Sequence, residues 1–266
     1  MPSKFQRPIF WLIIICFFIF PIFALVFQSF TPVWRFGEPV PLDFRLDSWD
    51  ILFQDERWIS ATFWSVFISL WIILINLAIG MLTGKAMAFS NFKGKALLEA
   101  LFLAPVLLPV LAIAMGLHLM MIRLGLADTW IGVMLIHLVP TIPYSIKIFT
   151  NAYQQMGEKL IEQASMLGAT SFRSWLTIEL PMLKPPIRSV IFLTMVISLS
   201  QYAITSIIGG GQVITLAMVF FPYLDTANGS LLAAFSLWFA LLPFLLYACL
   251  EALMKLLPYQ TIRWRK

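Results

Sequence analysis

Six apolar runs, at roughly 9–30, 61–84, 97–122, 131–150, 188–208 and 231–257, take up most of this 266-residue chain. A helix needs about 20 residues to cross the hydrocarbon core of a bilayer. Helices and closed barrels are the only spanning structures that satisfy their own backbone there. The short alternating segments of an outer-membrane barrel do not occur. With 61% of residues hydrophobic and 12% charged, against about a quarter charged in soluble domains, no single soluble core would absorb these runs. The predicted fold is all-α: one transmembrane domain over 1–266 with six helices.

The basic residues orient it. If the N-terminus is cytoplasmic, the inner segments hold Lys4, Arg7, Lys85, Lys93, Lys95, Lys147, Lys159, Arg173, Lys184, Arg188, Lys255, Arg263, Arg265 and Lys266. The outer segments hold only Arg35, Arg45, Arg57 and Arg123. That bias predicts both termini in the cytoplasm. It also explains the net charge of +5 without nucleic acid, because the charges do not gather on a soluble face. Lys4 and Arg7 precede an apolar run longer than the 7–15 residues of a typical signal core, so the run is taken as a span, with Pro21 inside it. Cys16 and Cys249 lie in apolar runs and suggest neither a disulfide framework nor a metal cluster. The outer loop 31–60, with Pro32, Pro39, Pro41 and Asp43, Asp47, Asp50, Asp55 and Glu56, is expected to be partly ordered, as a connector or a contact for an external partner.

The longest inner loop, 151–186, is unlike its surroundings. Leu160, Ile161, Ala164 and Leu167 recur at helical spacing, Gly168 suits a left-handed helix cap, and Ser171–Glu179 reads as a second helical run that Pro181 ends. Apolar residues exposed outside the bilayer imply either a protein partner or a hairpin lying on the lipid surface.

Glu162-Gln163-Ala164, Gly168 after three further residues, and Ile178-Glu179-Leu180-Pro181 after nine more resemble the EAA loop of the permeases of binding-protein-dependent ABC importers, the MetI-like family. Gln163 in place of alanine is the one departure. The resemblance extends over about 60–250, through LFLAPVLLPVLAIAMGL, GLADTWIGVMLIHLVPTIPYSIKIF and GGGQVITLAMVFFPYL, and points to the subgroup serving polyamines, thiamine, ferric iron and sulfate. It implies that Glu162, Gln163, Ala164, Leu167, Gly168, Ile178, Leu180 and Pro181 form a coupling element docked on a separate ATPase. The implied partners are two ATPase subunits, a second permease of the same or a sister chain, an external solute-binding protein and the lipid bilayer. The implied location is the bacterial cytoplasmic membrane, in multiple passes.

No Walker A motif is present. The nearest approach, Gly80 to Ala86, is one residue short between glycines and has Ala86 where a magnesium-binding Ser or Thr is required. Gly80 and Gly84 read instead as helix-packing residues. ATP and magnesium are therefore expected on the partner, and this chain is expected not to be an enzyme. Ion-coupled transport would call for ionisable residues deep in the spans, yet these residues sit at span ends, among them Glu99 and the i,i+4 pair Glu251 and Lys255.

Thr194, Ser198, Gln201, Tyr202 and Thr205 make a polar stripe on the fifth run, either a translocation path or a set of helix contacts. Gly209, Gly210 and Gly211 follow as a gate loop or a tight turn. His118 and His137 lack acidic or thiol neighbours in sequence, so no metal site is expected, and His137 reads as a hydrogen-bonded packing residue. Asn228-Gly229-Ser230 is a glycosylation sequon expected to be fortuitous. The alternatives to an ATP-driven importer permease are an ion-coupled secondary transporter and a non-transporting membrane scaffold.

Overall fold

The computed structural model describes residues 6–32, 43–224 and 228–256, and these are helical without a strand. In order the helices are α1 (Gln6–Ser29), α2 (Asp47–Gln54), α3 (Glu56–Phe89), α4 (Lys95–Leu107), α5 (Val110–Arg123), α6 (Trp130–Met156), α7 (Glu158–Met166), α8 (Ser171–Met182), α9 (Lys184–Leu199), α10 (Tyr202–Ile208), α11 (Leu216–Tyr223) and α12 (Gly229–Leu256). Lys4, Arg35, Arg263, Arg265 and Lys266, used above for orientation, lie outside the described residues, as does 33–42 of the outer loop. The described remainder of that loop folds into α2 and the start of α3.

Among the described residues, α3, α6 and the Gly229–Ala252 stretch of α12 are long and apolar enough to cross a bilayer, and the bent pairs α4–α5 and α8–α9 raise the number to five. The first apolar run forms α1.

The third run, expected as one span, is broken by 101° between α4 and α5. Leu108 is extended (φ −87°, ψ 147°), the conformation favoured for a residue that precedes proline, here Pro109. The fifth run is also two helices. α9 ends at Leu199, Gln201 leaves helical geometry (φ −78°, ψ 82°), and α10 starts at Tyr202. Pro181 does not end α8, which runs on to Met182 before turning by 68° into α9. A π turn at Trp175–Glu179, with the Leu180 N–H donating to the Trp175 carbonyl, changes the hydrogen-bond register just before the proline, whose nitrogen has no hydrogen to donate.

The chain divides into two compact units. The first comprises Met1–Ala61 and Met218–Leu242. Its core is aromatic: Trp58 meets Phe235 edge-on at 3.9 Å, Trp238 leans on Trp58 and Phe53, and Phe220 stacks on Phe239 at 5.2 Å. Such pairs add about 0.5–1.5 kcal/mol beyond the area they bury. Asn228 Oδ1 accepts from the Leu231 N–H at 3.0 Å and caps α12, giving the sequon asparagine a local structural role. Ser230 Oγ donates to the Pro32 carbonyl.

The second unit comprises Thr62–Ala217 and Pro243–Lys266. Ile68 and Ile72 of α3, Ala114 and Met121 of α5, Val133 and Ile136 of α6, and Ile204 and Ile208 of α10 form its core. α3 and α6 lie nearly backbone to backbone. A Cβ on Gly84 would stand 2.6 Å from Phe149 Cβ and 2.9 Å from the Thr150 nitrogen, and one on Gly80 would meet Phe149 and Ser145. The helix-packing expectation for these glycines describes what is observed. The same seam holds buried Asn76, whose Nδ2 donates to Thr141 Oγ1 and whose Oδ1 accepts from Ser145 Oγ, both at 2.9 Å. Glu251 of α12 is bound by Arg188 of α9 through two hydrogen bonds, Nε to Oε2 at 2.8 Å and Nη2 to Oε1.

Candidate functional site: the α7–α8 tip and the α9–α10 stripe

Both candidate regions lie in the second unit. α6 ends at Met156, Gly157 (φ +77°) turns the chain, and α7 follows at once. At the other end of α7 the Ala169 N–H donates to the Ala164 carbonyl at 3.0 Å, and the Gly168 N–H to that of Ser165 at 2.9 Å. These paired bonds close a Schellman cap, with Gly168 at φ +84° in the left-handed position. Thr170 then caps α8, its Oγ1 accepting from the Arg173 N–H. The helix–glycine–helix geometry follows from local chemistry alone.

The apolar face expected on α7 is split by this cap. Ala164 is buried and Leu160 and Ile161 are half-buried, but Leu167 lies beyond the last helical turn and is 89% exposed. Met166, at 84%, and Phe172 are exposed beside it in sequence. The tip thus exposes three large apolar side chains, of which Phe172 stacks on Trp175. Glu162 and Gln163 are exposed, whereas Ile178, Leu180 and Pro181 are half-buried.

The stripe is brought together with α6. His137 engages Ser198 Oγ through Nδ1 at 3.2 Å and Thr205 Oγ1 through Nε2 at 2.8 Å. Thr205 also donates to the Gln201 carbonyl, and Thr194 is buried. His137 is thus a hydrogen-bonded packing residue joining α6 to α9 and α10. Gln201 and Tyr202, at the helix break, remain half-exposed. Gly209, Gly210 and Gly211 form a tight turn, closed by the Gln212 N–H on the Gly209 carbonyl at 2.8 Å, and the Asp128 N–H donates to the Ile208 carbonyl next to it. Gly210 (φ +49°) and Gly211 (φ +79°) are both left-handed.

Two further buried polar groups stand near these regions. Asn76 is an isolated amide in an apolar run, which is a readable signal. Glu179 occupies the variable position of the Ile-x-Leu-Pro pattern, and only the fold reveals that it is buried against Lys85 and Tyr153.

The family described as binding-protein-dependent transport system inner membrane component matches residues 76–258. The chain belongs to that family. It is a multi-pass ABC transporter permease. The inner membrane ABC transporter permease protein YnjC of Escherichia coli is 26% identical to it over 155 residues, 58% of this chain and 30% of that protein. The spermidine/putrescine transport system permease protein PotC of Haemophilus influenzae is 24% identical over 229 residues, 85% of this chain and 87% of that one. Among solved structures, a bacterial ABC transporter involved in the import of alginate superposes with a TM-score of 0.69 at 13% identity, covering 97% of this chain and 99% of that one.

Proposed function

We propose that this permease forms the solute path of an ATP-driven importer and is worked by a separate ATPase through the α7–α8 tip. The observation that carries the reading is the tip itself: Met166, Leu167 and Phe172 are exposed at a turn fixed by the cap at Gly168. Apolar side chains at a rigid, protruding turn outside the long helices are what a docking element needs. Glu162, Gln163 and Ala164 lead into that turn, and Ile178, Leu180 and Pro181 root its far side.

The chain would cross the membrane six times with both termini inside, as its basic residues predict, in the cytoplasmic membrane of a bacterium. It would pair with itself or a sister permease, two ATPase subunits and an external binding protein. ATP and magnesium would be bound by the ATPase alone. ATP binding would close the ATPase dimer, shift the tip and switch the cavity from inward to outward access, a population shift driven by a partner. Of the stripe, Gln201 and Tyr202 at the helix break are the residues left half-exposed to meet solute, while Thr194, Ser198 and Thr205 support them. The turn at Gly209–Gly211 would gate the outer end. The solute is expected among polyamines, thiamine, ferric iron and sulfate, and the PotC likeness is compatible with the first.

The test is reconstitution of the complex purified through a tag on this chain. ATP-dependent accumulation of radiolabelled spermidine, thiamine, ferric iron and sulfate is measured in turn. Uptake of one of them, with an ATPase in the complex, is the expected result. An associated ATPase without uptake of any of these, or of a sugar or an oxyanion such as molybdate, would favour the scaffold reading.

A further inference from the structure

Glu179 has no role in the coupling scheme above, yet it is the most deeply buried carboxylate among the described residues, at 1% exposure. Lys85 Nζ donates to its two oxygens at 2.7 and 2.8 Å, and the Tyr153 hydroxyl donates to Oε2 at 3.2 Å. The Lys85 ammonium also stands 5.9 Å from the centre of the Tyr153 ring. Lys85 belongs to α3 and Tyr153 to the last turn of α6, so one side chain on α8 ties three helices together.

The position of this tie matters mechanically. α7 lies between two left-handed glycines, Gly157 and Gly168. A displacement of the tip can be absorbed by rotation about Gly157 before it reaches α6. Beyond Gly168 the route through α8 is tied down at Glu179, because separating it from Lys85 and Tyr153 would leave a carboxylate desolvated and unpaired. The π turn that ends at Glu179 is a single-turn bulge within a helix, a feature frequent at functional sites.

Resting on the coupling role proposed above, we infer that Glu179 is a positioning residue of the transport cycle: by clamping α8 to Lys85 of α3 and Tyr153 of α6, it passes displacement of the α7–α8 tip to the spans. A purely structural pair would change how much folded protein accumulates. It would not change how the folded complex responds to nucleotide.

The experiment follows outward opening directly. Cys16 and Cys249, both free thiols, are replaced by Ser, and Gln201→Cys supplies a reporter. In vesicles holding the complex with its ATPase, the rate at which a membrane-impermeant maleimide labels that cysteine from outside is compared with and without Mg-ATP. In the otherwise unaltered chain ATP raises the rate. In Glu179→Gln the ATPase remains bound and hydrolyses ATP, but the ATP-induced rise falls about tenfold, the ratio that corresponds to losing about 1.4 kcal/mol from the tie. The exchange Lys85→Glu with Glu179→Lys restores most of the rise. An undiminished rise in Glu179→Gln, or no recovery in the exchange, overturns the proposal. If Glu179→Gln does not accumulate, Tyr153→Phe decides, since it deletes only a hydroxyl: a reduced rise supports the clamp and an unchanged one overturns it. No response to ATP in the unaltered reporter chain overturns the coupling reading, and the clamp with it.

Discussion

A substitution series at Gly168 tests the coupling tip with a magnitude set by the structure. A Cβ built at Gly168 meets nothing within 4 Å, so a side chain there strains no neighbour. What remains is the backbone at φ +84°. A left-handed conformation costs a non-glycine residue roughly 1–2 kcal/mol, and Asn pays the least because its side chain bonds locally. Opening of the cap would therefore become about 5–30-fold easier in Gly168→Ala, the ratio that corresponds to 1–2 kcal/mol. Because the site is exposed, this cost falls on the turn and leaves the buried core untouched. Gly168→Asp adds a negative charge beside Met166 and Leu167 and disturbs docking as well as the turn. The expected order of ATP-dependent uptake in reconstituted vesicles is Gly, then Asn, then Ala, then Asp, at equal amounts of inserted protein. Co-purified ATPase, measured on the same samples, should fall in the same order. A flat series, or Gly168→Asp transporting normally, would refute the idea that this turn transmits the stroke.

Further outcomes are expected. Glu162→Ala should insert normally but retain less ATPase, because losing one partner of a desolvated charge contact costs about 2–5 kcal/mol; unchanged co-purification would leave Glu162 without a docking role. Gln201→Leu should lower uptake while the ATPase stays bound, and normal uptake would make the stripe a packing feature throughout. Gly84→Val should destabilise the permease by about 1–3 kcal/mol through overpacking of α3 against Phe149 and Thr150, read as a lower unfolding midpoint in detergent; no change would mean the seam can give. A cysteine placed after Lys266 should resist impermeant reagents in intact cells, and labelling from outside would reverse the proposed orientation.

The long apolar helices and the Gly168 cap were legible because each depends on local information: hydrophobic length, or a glycine one residue past the end of a helical run. The interruptions were less legible. Pro109 breaks the third run while Pro140 and Pro143 sit inside an unbroken α6, and hydropathy alone does not separate the two cases. At Leu108 the chain takes up the extended conformation that a following proline favours. Pro181 reads as a stop, because nothing in the sequence announces a π turn. The polar stripe was visible as a pattern, but its division between residues bonded to His137 and residues left half-exposed depends on α6, whose His137 lies 61 and 68 residues away along the chain. Glu179 was hidden for the same reason, since its partner Lys85 is 94 residues distant.

The seam between α3 and α6 also bears on biosynthesis. α3 leaves the ribosome carrying Asn76, and Thr141, which receives the amide, follows 65 residues later. At about 5–20 residues per second, the interval is roughly 3–13 s, long compared with most side-chain and helix motions. During that time the amide has its bond to the Ile72 carbonyl of its own helix and no partner on α6. The nascent α3 therefore carries an incompletely satisfied amide until α6 arrives. The residue that fixes the register of the finished seam is thus the one that makes its first half dependent on synthesis of the second.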